Sequence, residues 1–349
     1  CRTRTRRPCA LGCCGPGRSG PGEAVASEAI GTLYAAAGAG PATTRRRPGP
    51  DYHVPVPTNR LTALLAGRPA IVDGGYGWLL QQRGLPPGMP AELWNLENAA
   101  AIEALHEEYA AAGASILTTN TFGATEPRLA LNDLGDRAVE INRAGARLAR
   151  SVADRHGALV AGDIGPTGEL LEPLGTLTAA EAQEHFAEQL RGLVAGGIDL
   201  VLIETMSDLT ETRAAVAAAH EVAPDLPVIA TMSFDTNLRT MMGVTPAAAV
   251  TALTEAGVDA VGANCGRGPE EMVAIAAELN GAREGATLIV AQSNAGLPQL
   301  HEGEFRYEVD PDHMAEHARE LRALGVDVIG ACCGSSPEHI RAMAAALAH

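Results

Sequence analysis

Three cysteines hold the chemistry that this sequence makes most visible. Cys332 and Cys333 are adjacent in VDVIGACCGSSPEHIRAM, where Val326 to Ala331 reads as a short apolar strand. A helix start follows at once: Ser336 is a good N-cap, Pro337 suits the first turn and Glu338 complements the positive end of the dipole. Adjacent cysteines bridge to each other only with strain, so a vicinal pair at a strand end calls for a third partner. Cys265 stands at the matching place in VDAVGANCGRGPEEM, the same strand, turn and helix phrase. Three thiols brought together from two strand ends make a trigonal sulfur site, which selects zinc (Zn2+) or another thiophilic metal.

Two kinds of zinc site compete for this reading: a closed structural site with four protein ligands, and an open one with three ligands and a place for substrate. A structural knuckle normally brings paired CxxC motifs, and no fourth cysteine lies in the part expected to fold, which favours the open site. Three thiolates leave the ion formally negative and a weak Lewis acid toward water, so hydroxide chemistry suits it poorly. Holding an incoming thiol as thiolate suits it well, which points to a thiol substrate acting as nucleophile.

The elements that must position these residues repeat eight times. Each phrase has a few β-branched or aliphatic residues, a polar residue, then a turn into an amphipathic helix. They are Ala70 to Val72, SILTTNTF from Ser115, LVAGDIGPTG from Leu159, LVLIETMSD from Leu200, VIATMSFD from Val228, VDAVGANCG from Val258, LIVAQSNAG from Leu288 and VDVIGACCG from Val326. Between them run helical patterns, one opened by a capping box of Thr178 with Glu181. Four strands are announced by a glycine helix stop, in AGAS, GGID, AGVD and LGVD. Apolar strands without alternation are covered on both faces, as in a parallel sheet. Eight such units are the arithmetic of an α/β fold closed as a (β/α)8 TIM barrel over residues 58–349. The barrel places its site at the C-terminal ends of the strands. The polar residues fall there: Asp73, Asn120, Asp163, Glu204, Ser233, Asn264 with Cys265, Asn294, and Cys332 with Cys333.

The 349 residues have a mean hydropathy of +0.03 and carry a net charge of −16, a charge that argues against nucleic acid or an anionic membrane as partner. Residues 1–50 hold eight arginines against Glu23 and Glu28, a net +6, so the remainder carries −22. Residues 1–57, which begin at Cys1, show no helical or strand period and read as a disordered basic extension: a tail, a targeting segment or an over-extended reading frame. Cys1, Cys9, Cys13 and Cys14 fall in it. The other three are a poor disulfide framework and fit a reducing, cytoplasmic setting.

The stretches DGGYG, TTNTFGAT, GDIGPTGE, LIETMSD, GANCG, SNAGLP and GACCG, in this order from about Arg60 to His349, resemble the homocysteine S-methyltransferase family, which includes the homocysteine-binding barrel of cobalamin-dependent methionine synthase. The resemblance implies zinc held by Cys265, Cys332 and Cys333, with the sulfur of homocysteine completing the tetrahedron. It implies that the amino acid end of that substrate is held by Asp73, by amides around Gly74 and Gly75, and by Glu204. It places Thr121 and Asn264 in the pocket wall and gives Asn294 the metal's open place when substrate is absent. For the methyl donor, betaine-using relatives carry tyrosines where this chain has Gly123 and Thr205, which weakens that donor. A methylcorrinoid on a separate protein is the first choice; S-adenosylmethionine or S-methylmethionine is the alternative. An oligomer is compatible with the sequence.

Plainer readings stand beside these. Asp73 and Glu204 could cap turns, Asp163 could stabilise the GDIGPTG turn, and the cysteines could be packed thiols. HMAEH, His313 to His317, has the spacing of a helical zinc motif but follows an Asp310–Pro311 helix start in the barrel's outer layer. GGYG lacks the spacing of a dinucleotide fingerprint. A zinc hydrolase or deaminase would want His and Asp at the strand ends, and a non-catalytic thiol- or zinc-binding protein would lack a donor surface.

Overall fold

The computed structural model describes residues 61–62, 69–301 and 304–348; the expected extension over residues 1–57 lies outside them. Eight parallel strands form one sheet: β1 (Ala70–Ile71), β2 (Ile116–Thr118), β3 (Leu159–Ile164), β4 (Leu200–Met206), β5 (Val228–Met232), β6 (Ala260–Cys265), β7 (Leu288–Ser293) and, after a hairpin of β8 (Gln299–His301) with β9 (Glu304–Arg306), β10 (Val328–Ala331). Neighbours run β1-β10-β7-β6-β5-β4-β3-β2. The last seam closes through a parallel bridge between Val72 and Ile116 and the bond from Ser115 N–H to Ile71 C=O at 2.8 Å. The architecture is the expected (β/α)8 barrel.

Alternation along each strand sorts the core into two layers. Leu200, Leu202, Ile229, Leu288, Val290 and Val328 belong to one cluster with Leu61 from the segment ahead of β1. Val201, Ile203, Val228, Ala230, Ile289 and Ile329 belong to the other, with helix residues such as Phe186 and Leu190. Both sets are buried, which is why the strands read as unbroken apolar runs. The four glycine helix stops hold positive φ, at Gly113 (106°), Gly197 (97°), Gly257 (87°) and Gly325 (85°), where a side chain would be strained. The Thr178–Glu181 capping box is present. Two strands start two residues later than the sequence suggests, β6 at Ala260 and β10 at Val328. Asp259 and Asp327 instead turn their carboxylates onto the N–H groups of Val228 and Ile289 on the neighbouring strands, both at 2.8 Å. Among the described residues no helix is long and apolar enough to cross a membrane.

Candidate metal and substrate site

Cys265 ends β6, and Cys332 and Cys333 follow β10, so β7 separates the two thiol-bearing strands. The end of β7 joins them. Cys265 pairs in register with Ser293, and the Cys332 N–H donates to the Ser293 carbonyl at 2.8 Å. Asn294 then ties the two loops: its amide oxygen accepts from Cys333 N–H at 3.0 Å, and its amide nitrogen donates to the Gly266 carbonyl at 2.7 Å. All three cysteines are free thiols, with their sulfurs within 4.8 Å of one another and Cys265 and Cys332 at 2.8 Å.

The donor set fits a zinc ion. Bonds of about 2.3 Å in a tetrahedron set sulfurs about 3.8 Å apart, within the span of this cluster. The charge also fits: thiols of Cys265 and Cys332 hydrogen-bond to Cys333 and bring its pKa down to about 3. Cys332, bonded to the other two and buried, is pushed up. Three crowded thiols thus hold one negative charge without a cation, and a soft cation lets the others ionise. Among the described residues this is the only group of three or more His, Cys, Asp or Glu close enough to share an ion. HMAEH lacks a third ligand. His317 is buried against Ser293 Oγ (2.6 Å), its pKa lowered to about 4 by burial, and His313 stands on the exposed face near Glu270.

Behind the sulfurs lies a buried amide. Asn264 accepts from Thr205 N–H and Thr231 Oγ1, both at 2.7 Å, and donates to Thr205 Oγ1 at 2.6 Å, with its nitrogen 3.7 and 3.9 Å from the sulfurs of Cys265 and Cys332. It fastens two residues in left-handed conformations, Thr205 (φ 59°) and Cys265 (φ 60°), which a non-glycine residue adopts only when its surroundings hold it there. The β4–β5 register shifts between Ile203 and Met206, an extra residue that turns Glu204 into the cavity.

Asp73 follows the Val72 bridge and is buried. Its carboxylate accepts from Thr118 N–H (2.8 Å), Thr118 Oγ1 (2.9 Å) and the Tyr76 hydroxyl (2.7 Å). Next to it, Gly74 and Gly75 lie against the cysteine loop: a Cβ on Gly75 would come within 2.8 Å of the Cys332 carbonyl, and one on Gly74 within 2.5 Å of Ser335 Oγ. Only glycine permits this approach. The Gly75 N–H is already bonded to Ser335 Oγ at 3.1 Å.

The cysteines open into a cavity of about 510 Å³ lined also by Asp73, Gly74, Gly75, Thr121 and Glu204. Asn264 and Asn294 stand behind its wall. Its charged lining residues are all acids: Asp73, Glu92, Asp163 and Glu204. Burial raises Asp73 to about 7 against its hydrogen bonds, and burial, with Cys333 and Asp73 nearby, raises Glu204 to about 8. Asp163 is pushed well up by burial and by Glu204. Its Oδ1 is buried without a hydrogen-bond partner among the described residues, so its side chain does not hold the GDIGPTG turn. The Gln292 amide oxygen, also in the wall, is likewise unpartnered. A cationic donor such as an ammonium group would favour the ionised form of these carboxyls and pair with the acceptors they then present.

Tyr76, Trp78, Gln292 and Tyr307 line the cavity, and Ser335 braces it, although sequence reasoning did not single them out. The Trp78 and Tyr307 rings meet edge to face at 5.6 Å. Two signals were available: Gln292 interrupts an apolar strand, and Tyr76 follows the strand-end acid by three residues.

Known proteins resemble the chain in the same regions. The family model of homocysteine S-methyltransferase matches residues 70–347. Methionine synthase of Mycobacterium tuberculosis is 33% identical over 305 residues, 83% of this chain and 25% of that protein. Its counterpart in Mycobacterium leprae is 33% identical over 304 residues, with 82% and 25% covered. The chain therefore spans about a quarter of the length of these relatives. Among solved structures, the metallated form of the homocysteine methyltransferase MmuM from Escherichia coli superposes with a TM-score of 0.67 at 23% identity, covering 82% of this chain and 99% of that one. Its oxidized form gives 0.66 at 22%, covering 79% and 95%. At these identities the superpositions bear on the fold alone. The match across all eight strands, cysteine loops included, establishes that this chain belongs to the homocysteine S-methyltransferase family.

Proposed function

We propose that the chain methylates the sulfur of homocysteine to give methionine, with Cys265, Cys332 and Cys333 holding zinc. The observation that carries this reading is the convergence of three free thiols within 4.8 Å in a cavity whose charged lining residues are all acids. Zinc bound there would supply a soft Lewis acid that keeps the incoming thiol ionised near neutral pH. The protein does the rest: Glu204 and Asp73 take the substrate ammonium, Thr121 and the Gly74–Gly75 turn shape the wall around its carboxylate, and Asn264 and Asn294 fix the cysteine loops. Thiols kept reduced for a metal fit a reducing compartment such as the cytoplasm.

The donor is proposed to be a methylcorrinoid carried on another protein or domain. This accords with the similarity to one quarter of two methionine synthases. Positions 123 and 205 give no aromatic cage: a Cβ on Gly123 would come within 2.8 Å of Glu92 Oε1, and Thr205 is bonded to Asn264. A second reading, a sulfonium donor such as S-methylmethionine or S-adenosylmethionine, draws on the Trp78–Tyr307 pair, whose faces suit a cation. The test is methionine formation from homocysteine by the zinc-loaded protein with methylcobalamin, S-methylmethionine, S-adenosylmethionine or betaine. Product with one donor, abolished by a chelator and restored by zinc, supports the reading. A protein that binds zinc and homocysteine but methylates with no donor would be a thiol-binding module instead.

A further inference from the structure

His106 lies outside the cavity wall, on the helix Ala99–Ala112, and is fully buried. Its Nδ1 is 2.8 Å from the Tyr76 hydroxyl oxygen, and its Nε2 has no partner among the described residues. Burial lowers its pKa to about 3, so the ring is neutral and carries one proton. Tyr76 also has one proton, and gives it to Asp73 Oδ2. The contact between Tyr76 and His106 therefore needs its proton from the histidine: Nδ1–H donates to the phenol oxygen, which donates to the carboxylate.

The opposite arrangement is disfavoured by the same geometry. If Asp73 donated to Tyr76, the phenol would turn its proton to Nδ1 and the histidine proton would move to Nε2, leaving a buried N–H unpaired. A bare lone pair is the lesser penalty. The tautomer of His106 thus sets the direction of the chain. Thr118 supplies two more donors, so the protein fills three of about four acceptor positions on Asp73, which lines the cavity.

We propose that His106 is a positioning residue which, through Tyr76, orients Asp73 so that its carboxylate, ionised against a bound cation, accepts from the ammonium group of an amino acid thiol. This rests on the reading of Asp73 given under Proposed function. It makes His106 a determinant of selectivity for thiols bearing an α-amine, without contact with the ligand.

The experiment compares the affinity of the zinc-loaded protein for L-homocysteine and for 4-mercaptobutanoate, the same thiol without its amine, by calorimetry. The wild type is expected to prefer homocysteine. His106→Leu removes the donor and is expected to lower that preference about five- to tenfold, leaving 4-mercaptobutanoate within about twofold. His106→Asn, whose side-chain N–H reaches the place of Nδ1–H, is expected to restore most of it. Tyr76→Phe breaks the chain at its other link and is expected to match His106→Leu, which keeps the test open if the buried leucine unfolds the protein. Equal weakening of both thiols, or an asparagine variant no better than leucine, would overturn the proposal. Asp73→Asn separates the two layers of the argument. If it leaves the preference intact, the ammonium reading of Asp73 fails and His106 with it; if it removes the preference while His106→Leu and Tyr76→Phe do not, only the relay fails.

Discussion

At the N-terminal ends of the strands, Asp199, Asp259 and Asp327 each accept a backbone N–H from the strand beside them: Val160 at 2.9 Å, Val228 at 2.8 Å and Ile289 at 2.8 Å. Arg150 and Arg283 reinforce the first and third. At the C-terminal ends, Asp163 and Glu204 face a cavity with no cationic side chain in its lining among the described residues, and Asp73 has three donors yet remains proton-hungry through burial. Acids at one end complete the sheet, and those at the other are left for a ligand to complete. Stability and function are thereby separated along the barrel axis, and substitutions at the two ends should report on different quantities.

The largest separation is expected at the sulfur cluster. Cys332→Ser removes one of the three proposed ligand atoms, and on that proposal methionine formation should fall by more than about 100-fold, beyond the loss typical for a residue one shell further out. The thermal midpoint of the metal-free protein should move little, because Cys332 packs in a loop beyond β10. Full activity in a folded Cys332→Ser protein would end the account of a three-thiolate site.

Next in size is the pH dependence of stability. Folded values of about 7 for Asp73 and about 8 for Glu204 lie above the unfolded ones, so the folded state holds protons that the unfolded chain releases. Stability of the metal-free protein should therefore be greatest below about pH 4 to 4.5 as far as these groups are concerned, and fall by a few kcal/mol as pH rises through about 8. Denaturant midpoints at about pH 5.5 and pH 8.5 measure this. Glu204→Gln should flatten the slope while weakening homocysteine binding; an unchanged slope would show that the carboxyl is not held protonated. Asp327→Ala should do the reverse: a loss of about 1–3 kcal/mol from an unpaired Ile289 N–H and a released Arg283, with activity per folded molecule unchanged.

Much of this division could be read from the sequence, for a reason that is local. Strand-ending polar residues, glycine helix stops and the paired cysteine phrases are patterns within a few residues, and each is set by backbone geometry. What the sequence concealed is long-range. Ser335 meets the Gly75 N–H across 260 residues, and Tyr76 meets His106 across 30. Asn264 and Asn294 were visible beside the cysteines, but the direction of an amide depends on neighbours from other strands: Thr205 and Thr231 for one, Cys333 and Gly266 for the other. The acids of GGID, AGVD and LGVD were legible as residues after a helix stop, yet their brace on the preceding strand appears only when the barrel closes.

The smallest expected effect tests whether the brace is general. β1 has only two ladder residues, and its seam with β2 holds a single bridge. In place of an aspartate, Ser115 accepts from Ile71 N–H at 3.0 Å and donates to the Ile71 carbonyl at 3.1 Å. Its hydroxyl does with one atom what a carboxylate cannot, since the carboxylate has no proton for the carbonyl. Ser115→Ala should lower stability by about 1 kcal/mol and speed hydrogen exchange at the Ile71 amide, while Val160, Val228 and Ile289 keep their protection. Ser115→Asp should recover less than serine, because its carboxylate would face the Ile71 carbonyl oxygen. If Ile71 exchanges alike in all three proteins, the neighbouring β10 ladder alone secures β1, and bracing by a strand-leading side chain belongs only to the strands that carry aspartate.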